Sequence, residues 1–536
     1  MSKNQNYLKG AAILGIAGII VKILGAIYRL PLSNIIKSEG MGYYQTAYPL
    51  YTLLLTISTA GFPIAIAKLV AERRAIGDYK NAYKVFKVAF TGLFIGGILT
   101  SLFVLFGAET IVERLGNRNA YYSLIALVPA LFLVPIMSAF RGFYQGHQLM
   151  VPTAISQIAE QFFRVVVGLG LTYLLLNKGI PVAAGGASFG GSAGALAGLI
   201  VIGLIFVQKR QDIKKELDSS ETLEDYEIRN IIKDLLTISI PITIGAAVVP
   251  IMDSIDVVVV LKRLQFIGYS EELANALYGN LKGMASTLIN FPQVLSVAIA
   301  MSLVPAISDA NARRDRREIE NITSSGIRIT LLIGLPAAFG LYVLARPIIA
   351  LLYFKNDMAT IINTGNILSI LSFGVIFLTL VQTLSAVLQG LGKPIIPAIN
   401  LFIGAIFKVI LSYTLTAIPE VNIYGAAIST VVAYGAASVL DLYSVKKYAK
   451  IKLSVKDIFI KPFISAVGMA IVAFLSYTFL INIIGGKLAT IVAILVGVII
   501  YGILLIVTGA ITSEDLSLLP KGKKIGEKLE RFKLIK

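Results

Sequence analysis

Apolar stretches about twenty or more residues long follow one another along the chain, separated by short polar connections. A helix needs about 20 apolar residues to cross about 30 Å of hydrocarbon, and inside lipid every backbone N–H and C=O must find its partner within the segment. The pattern predicts fourteen membrane-spanning helices near 10–33, 45–69, 85–107, 121–142, 153–176, 185–207, 235–260, 278–306, 323–345, 365–389, 394–417, 423–445, 460–484 and 488–511. The fold class expected is an all-α integral membrane protein. Gly61-Phe62-Pro63 in span 2, Pro250 in span 7, Pro292 and Pro305 in span 8 and Pro336 in span 9 mark places where a helix can bend.

Local patterns recur at an offset of roughly 240 residues. Gln145-Gly146 is matched by Gln389-Gly390, and each glycine is followed eighteen residues later by a basic residue, Arg164 or Lys408. The loop opening with Arg73-Arg74 is matched by the one opening with Arg313-Arg314. Two six-helix lobes in parallel pseudo-twofold repeat, with the substrate site between them, are therefore expected. The boundaries predicted are 1–208 and 235–445 for the lobes, 209–234 for a cytoplasmic linker, 446–511 for helices 13 and 14 and 512–536 for a basic tail. The linker and the tail are water-facing and too small for a catalytic domain.

Composition narrows the chemistry. The 536 residues are 56% hydrophobic and 15% charged, with no Cys, no Trp and one His. Thiol catalysis, disulfides and Cys- or His-ligated metal sites are left without ligands, so no enzyme activity, metal or cofactor is expected. The net charge of +18 lies in short blocks between apolar stretches, a membrane-protein pattern that points away from nucleic acid. Counted alternately by side, one face of the membrane takes 33 Lys and Arg and the other 10, with five inside spans, which places both termini in the cytoplasm. The apolar run from Gly10 is interrupted by Lys22 and Arg29, so a retained first helix is expected rather than a cleaved leader. Tyr43, Tyr44, Tyr48 and Tyr51 are expected at the outer membrane interface, and His147 in a solvated turn.

Ionisable groups inside spans are costly and normally face a partner or a wet cavity. The cations are Lys22 and Arg29 on span 1, Arg164 on span 5, Arg328 on span 9 and Lys408 on span 11; the acids are Glu160, Asp253, Asp256 and Asp441. Glu160 stands one turn from Arg164 and can neutralise it, while Asp253 and Asp256 share a face of span 7. A cationic cavity suits a polyanion such as a diphosphate, with Lys22, Arg29, Arg164, Lys408 and Arg328 as its lining. Asp253, Asp256 and Glu160 are the candidates for ion or proton coupling; snorkelling and structural ion pairs are the alternatives.

Two long motifs carry a resemblance: Ser58-Thr-Ala-Gly-Phe-Pro-Ile-Ala-Ile-Ala-Lys-Leu-Val-Ala-Glu72 and Arg141-Gly-Phe-Tyr-Gln-Gly-His-Gln-Leu-Met-Val-Pro-Thr-Ala-Ile-Ser-Gln-Ile-Ala-Glu-Gln-Phe-Phe-Arg164. The chain resembles the stage V sporulation protein B and YtgP group of polysaccharide transporters, similar in role to the MurJ lipid II flippases of the multidrug/oligosaccharidyl-lipid/polysaccharide exporter superfamily. The resemblance implies two six-helix lobes around a central cavity and a groove for a polyprenyl tail on the last two helices. It also implies that Lys22, in Lys22-Ile-Leu-Gly25, meets a diphosphate; Tyr28 and Arg29 stand where the MurJ pattern has Arg followed by Asp. The expected function is a flippase for undecaprenyl-diphosphate-linked peptidoglycan precursor in the bacterial cytoplasmic membrane. Its partners would be the lipid-linked oligosaccharide, the bilayer and cell-wall synthesis proteins. A cation-coupled multidrug exporter and a membrane-embedded glycan polymerase are the competing readings.

Overall fold

In the computed structural model, residues 3–221, 225–451, 454 and 456–510 are described, with side chains from residue 13 onward. Among them fourteen helices are long and apolar enough to cross a membrane, one for each span expected. They are Ile13–Ile35, Lys37–Ala75, Tyr79–Leu115, Arg118–Gly146, Met150–Lys178, Ile180–Gln208 and Ile228–Phe266, then Glu271–Ala312, Arg316–Val343, Met358–Gly390, Ile395–Leu415, Ile423–Ala449, Lys456–Ile484 and Gly486–Thr508. Several outrun the hydrocarbon by two or more turns. The apolar stretch marks the membrane crossing, but the helix runs on until a cap or a breaker stops it.

Span 2 breaks where a breaker stands in the sequence. One helix ends at Thr59 and the next begins at Phe62 with Pro63 in its first turn, a position where the missing N–H costs nothing. Gly61 lies between them, and a Cβ there would overlap the backbone of Ser239 on span 7. Its N–H donates to Thr243 Oγ1 at 3.2 Å. Pro250, Pro292, Pro305 and Pro336 instead sit within helices that continue through them.

The chain divides into two compact units, Met1–Gln265 with Tyr269–Gly279, and Phe266–Gly268 with Asn280–Lys536. The seventh span, which the repeat assigns to the second lobe, belongs by its contacts to the first unit. It is tied there along its length: Ile231 and Leu235 join the core built on Ile66, Val85, Phe86 and Phe143, and Gln265 Nε2 donates to Gly116 O at 2.7 Å. In the second unit Leu331, Leu335, Leu388 and Val445 form the core, and the Tyr501 hydroxyl of span 14 donates to Leu332 O on span 9 at 2.8 Å.

Each unit repeats the other's local features. A Cβ on Gly146 would stand 2.7 Å from Val70 Cβ and 3.0 Å from Ala67 O; one on Gly390 would stand 2.7 Å from Ile307 Cβ and 3.0 Å from Val304 O. Asp78 caps span 3 by accepting from Asn81 N, and Asp315 caps span 9 by accepting from Glu318 N. The residue before each cap, Gly77 or Arg314, has positive φ, as do Gln148 and Gly392 in the turns after spans 4 and 10.

Much of the linker is exposed, and its described part includes a helix tied to the first unit. Helix Arg210–Asp218 lays Glu216 against Arg74, which donates to it through both terminal guanidinium nitrogens at 2.9 and 3.0 Å. Lys84 pairs with Asp225 at 2.7 Å, and the Arg73 guanidinium lies 4.0 Å over the Tyr226 ring. The basic tail 512–536 lies outside the described residues.

Candidate functional site

Spans 5 and 6 set the site, because small residues let their backbones meet. Gly186, Gly190, Gly194 and Gly198 recur every fourth residue and so form one stripe on span 6. A Cβ on Gly190 or Gly194 would collide with span 5, at Gly168 and the Arg164 carbonyl or at the Glu160 carbonyl; one on Gly186 would crowd Leu171, and one on Gly198 would collide with Met137 Sδ of span 4 and crowd Ser156 O and Glu160 Cβ. Glycines at these positions let the helices pack backbone to backbone and fix how span 5 is rotated.

Along span 5, Ser156, Glu160 and Arg164 stand one turn apart, and all three take part in one polar network. Arg164 donates to Glu160 Oε1 at 3.3 Å, and Arg141 of span 4 donates to Glu160 Oε2 at 3.0 Å and to Ser156 Oγ at 2.9 Å. The Arg141, Glu160 and Arg164 side chains are only 12 to 17% exposed. One carboxylate thus serves two guanidinium groups, leaving a surplus positive charge roughly midway along span 5. Arg141, not singled out from the sequence as a site residue, points into this network, and its place at the head of the second motif is the signal for it.

Aromatic rings fence that charge. Tyr44, Tyr48 and Tyr51 share a face of span 2, with centroids 5.5 and 5.8 Å apart in sequence order. Arg164 Nη1 donates to the Tyr48 hydroxyl at 3.3 Å. Tyr43, Tyr44 and Tyr51 are buried, so these tyrosines are core residues and not the interfacial belt expected. Tyr28 of span 1 packs edge-on to Tyr44 at 6.4 Å and donates to Ala187 O at 2.8 Å. The absent Cβ of Gly168 makes room for its hydroxyl.

Span 1 therefore docks through Tyr28, and its neighbour Arg29 comes within electrostatic reach of Tyr44 together with Arg164. Lys22, two turns earlier, is exposed, and Gly25 between them faces Gln161. Asp256 on span 7 is buried and Asp253 half-buried, and both have interaction partners. Asn117 and Asn275, buried polar residues not singled out from sequence, bond at 2.6 Å and join the start of span 8 to the end of span 3.

In the second unit the place of Arg141, Ser156 and Arg164 is taken by Ser385, Asn400 and Lys408, each 244 residues on. Lys408 is only 7% exposed and is engaged by its surroundings. Asn400 donates to Asp441 Oδ1 at 2.8 Å and Ser385 to Asp441 Oδ2 at 3.4 Å, so the carboxylate comes from span 12 instead of span 11. Gly404, at the place of Glu160, meets the Ala433 carbonyl. Arg328 stands elsewhere, within electrostatic reach of Asp457, which also pairs with Lys461 at 2.7 Å where span 13 begins.

His147 is not solvated. It is largely covered by the linker helix, with Nδ1 2.9 Å from Phe143 O, Nε2 3.5 Å from Glu216 and its ring 4.2 Å from that of Phe143. Burial, helped by the nearby Arg74 charge, pulls its pKa down to about 4. Among the described residues no three His, Cys, Asp or Glu side chains converge as a metal site would require.

Comparison with known proteins completes the description. The model for the family described as polysaccharide biosynthesis protein matches residues 7–311, and that for MatE matches 282–414. Stage V sporulation protein B of Bacillus subtilis is 30% identical over 84% of this chain and 86% of its own length. Lipid II flippase MurJ of the same organism is 26% identical over 87% of this chain and 88% of its own. Among solved structures, a lipid II flippase MurJ in an inward closed conformation superposes with TM-score 0.69 at 17% identity, covering 92% of this chain and 97% of that one.

Proposed function

The chain belongs to the polysaccharide biosynthesis protein family, within the multidrug/oligosaccharidyl-lipid/polysaccharide exporter superfamily, and is a multi-pass membrane transporter. On that premise we propose that it flips an undecaprenyl-diphosphate-linked peptidoglycan precursor, or a similar lipid-linked oligosaccharide, between leaflets of a bacterial cytoplasmic membrane by alternating access. The observation that carries this reading is the surplus charge at Arg164. A guanidinium held in hydrocarbon beside a shared carboxylate and a tyrosine hydroxyl keeps donors for phosphate oxygens, and a diphosphate crossing lipid needs such partners to replace its water. Arg29 and Lys22 extend the basic lining in the first unit, the second unit has its own buried cation in Lys408, and the names of the relatives favour the same substrate class. A cavity for cationic drugs would be weighted toward carboxylates.

In this reading both termini are cytoplasmic, 1–208 and 235–445 are the repeated lobes, and spans 13 and 14 hold the polyprenyl tail. Asp253 and Asp256 couple transport to an ion, Glu160 sets the charge of Arg164, and Arg328 anchors spans 9 and 13 through Asp457. Cell-wall synthesis enzymes consume the product. The test is a leaflet-accessibility assay in proteoliposomes carrying the diphosphate-linked precursor. The unaltered chain should expose precursor to the opposite leaflet, and Arg164→Gln and Lys408→Gln should each abolish this at equal reconstitution. Unchanged flipping by both variants would remove these cations from the substrate path.

A further inference from the structure

The second unit holds a cavity of about 550 Å³ between the end of span 9, the start of span 10 and the second half of span 13. Arg346, Asn366, Ser369, Tyr342, Phe474 and Tyr477 line it. None belongs to the cationic sites described above. Arg346 opens the short helix Ala345–Leu352, and its stem lies across span 10 only because residue 365 is glycine: a Cβ there would stand 2.6 Å from Arg346 Cγ.

Its guanidinium is held but not neutralised. Nε and Nη2 donate to Asn366 Oδ1 at 3.1 and 2.9 Å, and Asn366 is itself oriented by donating to the Tyr424 hydroxyl at 3.3 Å. Among the described residues no carboxylate pairs with Arg346, in contrast to Arg141 and Arg164. The Nη1 donors and the full charge remain for a ligand. The first turn of helix Ala345–Leu352 also lines the cavity, and a helix start carries partial positive charge of the same sign. The remaining wall is largely apolar and aromatic, with Tyr342 and Phe474 about half exposed. An anionic head beside Arg346 with an apolar chain along Phe474 satisfies both kinds of wall.

We propose that this cavity binds the phosphate ester of a membrane lipid, the phosphate on Arg346 and the chain along span 13, with Ser369, whose hydroxyl donates to Asn366 O at 2.7 Å, beside the phosphate. Its placement in the outer leaflet rests on the orientation given under the proposed function; its chemistry does not. The test uses the full chain in phosphatidylcholine vesicles doped with phosphatidylglycerol, with bound lipid read by native mass spectrometry. Phosphatidylglycerol should be retained over phosphatidylcholine, and Arg346→Gln should cut that preference about tenfold, as loss of a charge-assisted contact does. Gly365→Ala, which displaces the arginine without removing it, should act in the same direction, and Arg346→Lys should fall between, keeping the charge without the fork. Retention unchanged in both Arg346→Gln and Gly365→Ala overturns the site. Full displacement of phosphatidylglycerol by inorganic phosphate overturns the lipid as its occupant. Ser369→Cys should react with an impermeant thiol reagent from outside; reaction from the cytoplasmic face alone overturns the orientation while the lipid measurement decides the site.

Discussion

Arg141 and Glu160 form an ion pair at 3.0 Å, on different spans and largely out of solvent. Because Glu160 also holds Arg164, its removal leaves two guanidinium groups without a counter-charge, whereas removal of Arg141 leaves one balanced pair. Breaking a buried pair from one side costs about 3–5 kcal/mol. Glu160→Ala should therefore lower the melting temperature more than Arg141→Ala, with Glu160→Gln between, since an amide still accepts one hydrogen bond. The chain has no Trp, so the melt is best followed by size-exclusion recovery after heating. Equal losses in all three variants would mean that Glu160 is not shared.

Gly194→Val should separate spans 5 and 6, because the new side chain meets the Glu160 carbonyl. Gly203 lies on the same helix in open space, so Gly203→Val is the matched control. The first should lose folded protein in detergent and the second should not, in the same recovery assay.

His147 titrates in a window fixed by its environment. Its ordinary value is 6.5 and its folded value about 4, so between these the unfolded or undocked chain binds more protons. Stability that is full above pH 6.5 therefore declines as pH falls toward 4. The charged groups facing the ring are Arg74 and Glu216. Acidification from pH 7 to pH 5 should speed hydrogen exchange across 210–218, after correction for intrinsic rates, and His147→Gln should flatten that dependence. Exchange equally fast at both pH values in the unaltered chain would show that the helix does not depend on a neutral imidazole.

A reporter that needs the cytoplasm to fold should be active when fused after Lys215 or at Lys536 and inactive after Asn482. The opposite pattern would invert the orientation.

Span number and the break at Gly61-Phe62-Pro63 were legible in the sequence because both rest on local chemistry, apolar length and a missing N–H. So was the pairing of Glu160 with Arg164, a one-turn relation on a single helix. What escaped depended on which face meets which neighbour. Tyr44, Tyr48 and Tyr51 read as an aromatic belt, since a ring near the end of a span looks the same whether it faces headgroups or a buried arginine. Arg141 escaped as a site residue because its partners, Ser156 and Glu160, lie on the next helix. His147 read as solvated because nothing local shows that Arg210–Asp218 folds back over it. The glycines at 186, 190, 194 and 198 were the signal for close packing of spans 5 and 6, and they were visible.

The most direct test of the flippase function is complementation. In cells depleted of their own lipid II flippases, expression of this chain should restore growth and carry lipid II to the outer leaflet, and Arg164→Gln expressed at the same level should do neither. Normal membrane insertion with lipid II still held in the inner leaflet would contradict the assignment of that substrate.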